Sequence, residues 1–258
     1  MAASQNTLTR SAPWMLTIAL FLVWEVICRG FKIPAYLMPA PSAIWASGLE
    51  FASPIMMHAT QTLMTTLAGF ALAVVVGMIL GLAVGASPLI YQACYPLLVG
   101  FNSIPKVAFV PVLVVWFGIG TVPAILTAFL ISFFPVVVNV ATGLATLEPE
   151  LEDVLRSLGA NRWDIMVKVG LPRSLPYFFA SLKVAITLAF VGSVIAETVA
   201  SNLGIGYLMM SASSSMNMPL VFAGLIVIGV MGVVMYELFA VLEKRLTGWA
   251  HRNPNAPG

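Results

Sequence analysis

The sequence predicts an all-α integral membrane protein of about six transmembrane helices, carrying a charged helix–turn–helix on its cytoplasmic side. Three observations predict it. The 258 residues are 60% hydrophobic and 9% charged, where soluble domains carry about 25% charged residues. With a mean hydropathy of +0.99, the chain has too little charge to cover a water-facing surface. Apolar runs of the length that crosses the hydrocarbon core, roughly 20 residues for about 30 Å, recur along it. Lys and Arg gather in the segments that six crossings would place on one side. No hydrophilic stretch is long enough for a separate soluble domain, so residues 1–258 read as one membrane domain.

The first span runs from Pro13 to about Cys28 and is closed by Arg29 and Lys32. It is too long for a signal-peptide core and has no clear small-residue cleavage site, so it is expected to be retained, after a cytoplasmic N-terminus over residues 1–12. Phe31 to His58, with Pro34, Tyr36, Pro39, Pro41 and Trp45, reads as an interfacial segment. The second span, about Gln61 to Ala86, carries Gly69, Gly77, Gly81 and Gly85. Their spacings of eight and four put small residues on one helical face, where two helices approach closely.

The third region, about Leu89 to Gly118, contains Pro96, Pro105 and Pro111. Each proline removes a backbone donor, and a membrane tolerates such breaks only against protein or a wet cavity. The fourth span runs from about Val122 to Leu144, the fifth from about Tyr177 to Ala200 and the sixth from about Leu220 to Leu242. Ser201 to Pro219, rich in Ser, Asn, Gly and Met, reads as an aqueous loop or a short re-entrant turn.

Arg156, Arg162, Lys168 and Arg173 lie between spans four and five; Lys244, Arg245 and Arg252 follow span six, and Arg10 precedes span one. The positive-inside rule then puts both termini, including a tail over 247–258, and the basic loop in the cytoplasm. The net charge of +2 gives no reason to expect a nucleic-acid partner; the partner that composition demands is the lipid bilayer.

The loop over 148–173 holds the only long charged stretch. Pro149 with Glu148, Glu150, Glu152 and Asp153 is a helix-start signature, because acidic residues suit a helix N-terminus. Val154, Leu155 and Leu158 form an apolar stripe at helical spacing. Gly159 is placed to end that helix in the left-handed conformation. Asn161 is placed to cap a second short helix, which Leu171-Pro172 ends. Physics alone leaves two uses for this hairpin: resting on the lipid surface, or docking into a partner's groove.

Asp153-Val154-Leu155-Arg156-Ser157-Leu158-Gly159, followed by Val169-Gly170-Leu171-Pro172, resembles the EAA loop of ATP-binding-cassette import permeases. That pattern is Glu-Ala-Ala, three residues, Gly, nine residues, then Ile-x-Leu-Pro. The spacing matches throughout; Asp replaces Glu, and Val154-Leu155 replaces Ala-Ala. Ser103-Ile104-Pro105-Lys106-Val107-Ala108-Phe109-Val110-Pro111 and Trp116-Phe117-Gly118-Ile119-Gly120 resemble the subfamily importing nitrate, sulfonates, taurine and vitamin precursors. So do Leu37-Met38-Pro39-Ala40-Pro41-Ser42, Ala196-Glu197 and Gly204-Ile205-Gly206-Tyr207-Leu208.

The resemblance implies a type I importer permease in a bacterial inner membrane, dimerising with a second copy of itself around a translocation path. It implies two copies of a cytoplasmic ATPase gripping the loop at Asp153, Val154, Leu155, Arg156, Gly159, Ala160, Arg162, Val169, Leu171 and Pro172, and an extracytoplasmic binding protein that delivers substrate. Closure of the ATPases would drive alternating access, a rigid-body rearrangement. The chain has no G-x-x-x-x-G-K-[ST] loop. ATP and Mg are therefore expected to be used by the partner, with no cofactor bound here.

Ionisable groups at membrane depth are costly and each is a functional candidate. Asn102, Ser103 and Lys106 stand at the proline break, Asn139 lies within span four, and Glu197 lies near the outer end of span five. These five are the candidates for the path. Glu197 has a second reading, a hydrogen bond that holds the following loop. Lys183 reads as snorkelling or path-facing, Glu237 as pairing with a base, and Glu25 as peripheral. Cys28, Cys94, the scattered methionines and the remote His58 and His251 offer no metal cluster, and no nucleophile–base set is visible, so no enzyme is expected. A gradient-driven secondary transporter is the alternative, but it would show topological repeats and mid-membrane carboxylates.

Overall fold

The structure, a computed structural model, describes residues 2–85, 87–145 and 149–247. Glu148, the start of the expected coupling loop, and all of the expected tail beyond Thr247 lie outside the described residues, as does the Arg162 side chain. Every regular element among the described residues is helical. In chain order they are α1 (Ala2–Gly30), α2 (Pro41–Glu50), α3 (Ala52–Gly85), α4 (Pro88–Ser103), a 3₁₀ turn (Lys106–Phe109), α5 (Val110–Phe117) and α6 (Thr121–Ala145). Then come α7 (Pro149–Ser157), α8 (Arg162–Ile165), a π turn (Met166–Gly170), α9 (Leu171–Ala200), α10 (Ile205–Ser214) and α11 (Met218–Thr247).

Among the described residues, four helices are long and apolar enough to cross a membrane: Ala52–Gly85, Thr121–Leu144, Val167–Ala200 and Met218–Thr247. Leu89–Ser103 and Lys106–Phe117, bent by 73° at their junction, make a fifth if counted as one broken span. The third region was expected to break at three prolines. It breaks at one. Pro96 sits inside α4 and Pro111 in the first turn of α5, where its missing N–H is unneeded. Only Pro105 interrupts the chain. The second span starts nine residues earlier than expected, at Ala52, and its 34 residues extend about 51 Å.

The core is a three-helix layer with α6 between α3 and α9. The glycine stripe builds the first seam. A Cβ on Gly69 would lie 2.5 Å from the Ala128 Cβ, one on Gly77 2.8 Å from Val136, and one on Gly81 2.7 Å from Val140. Side chains of α6 therefore rest on the bare backbone of α3, the close approach that small residues permit in lipid. On the other side of α6, Gly192 of α9 meets the Ala128 backbone and Gly143 meets Ser174. Val136, Val140, Ala185, Ile186 and Ala189 fill the space between, closed by Phe70, Phe190 and Met235. Gly77→Val overpacks the α3–α6 seam and should cost about 1–3 kcal/mol or more, read as a lowered Tm of the purified permease in detergent.

Outside this layer the surface is apolar. Leu20, Leu22 and Val26 on α1, Leu97 on α4, Val115 and Trp116 on α5, and Val230, Val233 and Leu238 on α11 are all exposed. Exposure on this scale fits lipid as the solvent. Inside the bundle, Lys183 of α9 pairs with Glu243 of α11. Lys183, expected to snorkel or to face the path, thus faces an acid of a neighbouring helix.

Candidate coupling loop and polar positions of the membrane helices

α7 ends as its sequence requires. Gly159 has φ +86°. Its N–H donates to the Arg156 carbonyl at 2.9 Å and the Ala160 N–H to the Leu155 carbonyl at 3.0 Å. This paired pattern is the Schellman closure, which satisfies two carbonyls the helix end would leave open. Two residues on, the Asn161 side chain accepts the Asp164 N–H at 2.7 Å and caps the next turn. Lys168 binds Asp164 at 2.7 Å, and that hydrogen bond and charge hold the Asp164 carboxyl below its ordinary range. The π turn then swings the chain into α9, with Val169 half-buried, Gly170 buried and Pro172 in the first turn.

These closures leave a tight hairpin whose outer face is open. Asp153, Val154, Arg156 and Gly159 are exposed, and Leu158 is 77% exposed. Leu155 and Ala160 are half-buried. Two apolar side chains, Val154 and Leu158, stand out among charges at the tip.

The break between α4 and α5 gathers three of the five polar candidates. Asn102 and Ser103 are exposed. Lys106 is 9% exposed. Its Nζ donates to the Asn102 carbonyl at 3.2 Å and to Asn102 Oδ1 at 2.8 Å. In an unbroken helix the backbone N–H of residue 106 would serve that carbonyl. Here the ammonium of the same residue replaces it, 5.9 Å from the centre of the Phe101 ring and 6.0 Å from that of Phe134. Asn139, half-buried on α6, donates to the Pro135 carbonyl at 2.8 Å.

Glu197 stands apart from that group. It is 1% exposed. Its carboxyl accepts from Thr62 Oγ1 at 2.8 Å, Thr65 Oγ1 and the Gly206 N–H at 3.2 Å each, and Ser193 Oγ at 3.4 Å. Thr62 Oγ1 accepts the Ile205 N–H at 2.9 Å, and His58 Nδ1 the Gly204 N–H at 3.0 Å. The first turn of α10 is thus stitched to α3 and α9, with the carboxylate at the positive end of the α10 dipole. A Cβ on Gly204 (φ +105°) would overlap the Glu197 carboxyl, and one on Gly206 the Val194 carbonyl.

Sequence reasoning missed most of this node. His58, Thr62, Thr65 and Gly69 repeat at three- and four-residue spacing on α3, as do Ser193 and Glu197 on α9. Two polar stripes at the ends of apolar helices were the available signal. Ser201 to Pro219, expected as an aqueous loop or a short re-entrant turn, contains α10, which packs against α11, α9 and α3.

Residues 73–248 match the family described as binding-protein-dependent transport system inner membrane component. The chain belongs to that family. It is a permease of the ABC type, not an enzyme. The permease is 32% identical over 242 residues to the riboflavin transport system permease protein RibX of Chloroflexus aurantiacus, covering 91% of this chain and 88% of that one. It is 29% identical to the formylaminopyrimidine transport permease protein ThiX of Halalkalibacterium halodurans, covering 92% and 95%. To the taurine transport system permease protein TauC of Escherichia coli it is 28% identical, covering 90% and 88%.

A solved structure of the MetNI methionine ABC transporter, in an inward-facing conformation, matches with a TM-score of 0.67 at 17% identity. The match covers 77% of the permease and 98% of that chain, and it establishes the fold alone. The permease is accordingly a multi-pass inner-membrane component of a binding-protein-dependent transport system. The gradient-driven alternative is not retained.

Proposed function

We propose that the permease forms the translocation path of an ATP-driven importer for a small heterocyclic or anionic nutrient, delivered by an extracytoplasmic binding protein. The substrate group is that of the relatives: a pyrimidine or riboflavin-like precursor, a sulfonate such as taurine, or nitrate. Two copies of the chain enclose the path, and two cytoplasmic ATPases hydrolyse ATP with Mg. α1 adds a crossing to the broken span and the four long helices, making six, with both termini in the cytoplasm.

The observation that carries this reading is the α7–α8 hairpin. Its backbone is closed by the Gly159 and Asn161 caps, so its geometry is independent of a partner. Its exposed tip presents Val154 and Leu158 among charges, the arrangement that docks in a groove on another protein. Asp153, Val154, Leu155, Arg156, Gly159, Ala160 and Arg162 make the contact; Val169, Leu171 and Pro172 transmit it to α9. The α4–α5 break, with Asn102 and Ser103 exposed, faces the path. Lys106 and Asn139 hold its walls, and Glu197 acts on the path by fixing α10.

Leu158→Asp tests the docking. The side chain is exposed, so folding and insertion should be unchanged. The tagged permease should then purify from its native membrane without the ATPase that accompanies the parent chain. An ATPase still bound at parent level would refute the assignment. Growth of a deletion strain on single nitrogen, sulfur and vitamin sources identifies the substrate; unimpaired growth on all of them would reject the proposed group.

A further inference from the structure

A groove of about 540 Å³ lies between α1, α2 and the first turns of α3 and α11. No ionisable side chain lines it. Ile44, Ile55 and Ala223 form its floor and are buried, whereas Trp45, Leu49 and Met56 at its rim are exposed. The rim runs on into the exposed apolar faces of α1 and α11. The groove therefore opens onto the surface that faces lipid.

Beside Pro41, which lines the groove, the chemistry changes. Glu25 accepts the Ser42 N–H at 2.9 Å, the Ser42 hydroxyl at 2.6 Å and Arg29 Nε at 2.5 Å. The carboxylate fills the N-terminus of α2 and is consumed by these bonds. Arg29 Nη2 also donates to Ser42 Oγ at 3.0 Å. The guanidinium is thus fixed in place, yet its side chain remains 70% exposed. Lys32, three residues on, is exposed as well. Trp45, three residues beyond Ser42 on α2, is exposed, as aromatic side chains are at a membrane interface.

We propose that this groove is a binding site for one phospholipid, with an acyl chain along the apolar floor and the phosphate at Arg29 and Lys32. The occupant follows from the two halves of the site. An apolar trough that opens sideways into the bilayer takes a hydrocarbon chain. A cationic end whose own carboxylate is already satisfied takes an anion at headgroup depth. A partner's helix would need a second strip of apolar surface beyond the groove, and an apolar one would offer no anion to Lys32 or to the exposed face of Arg29. The proposal rests on α1 crossing the membrane.

The test is native mass spectrometry of the full chain in its transporter complex, after exchange into mild detergent containing palmitoyl-oleoyl phosphatidylglycerol. One phospholipid should stay with each permease chain. Gly48→Leu fills the groove from α2, where an added Cβ meets only the Ala223 Cβ at 3.8 Å, so folding is spared. It should weaken lipid retention by at least about tenfold. Arg29→Gln with Lys32→Gln should weaken phosphatidylglycerol by about three- to tenfold and level the preference between anionic and zwitterionic lipid.

A phospholipid with a photoreactive acyl chain should label α2 and the start of α11 in the unmodified protein, which needs no variant to fold. Retention unchanged by Gly48→Leu, labelling spread evenly over the lipid-facing helices, or a polypeptide mass in place of the lipid would overturn the site. Protease access to an N-terminal tag from the outer face would instead overturn the α1 crossing, whatever the lipid result.

Discussion

Gly159→Val is expected to abolish uptake while leaving the permease in the membrane at the parent level. Gly159 has φ +86° with nothing within 4 Å of where a Cβ would stand. The space is open; the backbone conformation is the obstacle. A non-glycine residue there costs about 1–2 kcal/mol, and a β-branched one the most. That is a small part of the stability of the helical layer, which the hairpin barely touches. It is a large part of the stability of a nine-residue helix closed by two hydrogen bonds.

The expected result is a frayed α7 C-terminus, with Val154 and Leu158 displaced from the geometry proposed to dock the ATPase. Gly159→Asn, which tolerates the left-handed region, should retain most of the transport. Uptake by membrane vesicles, compared with the amount of permease inserted, separates the two substitutions. Equal transport by the valine and parent proteins would show that the loop is not held by this cap.

Gly204→Ala should have the larger effect on the protein itself. Its Cβ would stand on the Glu197 carboxyl, in a backbone conformation that also disfavours alanine. Either α10 leaves its seat or the carboxylate leaves its donors. Burial of Glu197 depends on those donors, since a carboxyl group away from water is tolerable only when hydrogen-bonded. Glu197→Leu removes the carboxyl group, orphans the Gly206 N–H and disconnects Thr62 and Thr65. A buried donor without a partner costs about 1–3 kcal/mol, so a loss on the order of 3 kcal/mol is expected.

Both variants should lower the Tm of the detergent-purified permease, Gly204→Ala more than Glu197→Leu. A Gly204→Ala protein that melts with the parent would show that α10 is not held by this node.

The long-range architecture was legible where lipid dictates composition. Of about six expected crossings, the apolar runs gave the four long helices among the described residues, and the glycines of α3 gave its contact face before any partner was known. Gly159 and Asn161 were legible because caps are local: their chemistry acts within five residues. What escaped has the opposite character. The start of α3 was hidden by His58, Thr60 and Gln61, which break the apolar run in sequence but are served in space by Gly204, by the helix's own carbonyl and by Thr121. Two partners of Glu197, Thr62 and Thr65, lie on α3, more than 130 residues away, and the acid paired with Lys183 lies on another helix. Hydropathy has no means of pairing polar atoms across such distances. Pro96 misled because a proline inside a helix and one that ends it look alike until the residues around Pro105 show where the chain turns.

The seam between α3 and α6 also limits how the transporter can move. A joint that yields needs side chains that can change rotamer as the parts turn. α3 contributes none along this line, only backbone at Gly69, Gly77 and Gly81 pressed by Ala128, Val136 and Val140. Twisting one helix against the other would open a void on one flank and drive carbon into backbone on the other. The pair is therefore a rigid girder. Gly192 and Gly143 bind α9 into it from the far side, and the α10 stitch adds a fourth member. Bending is left to the place where backbone continuity has already been given up, at Pro105, where an ammonium group closes the gap that the proline opened.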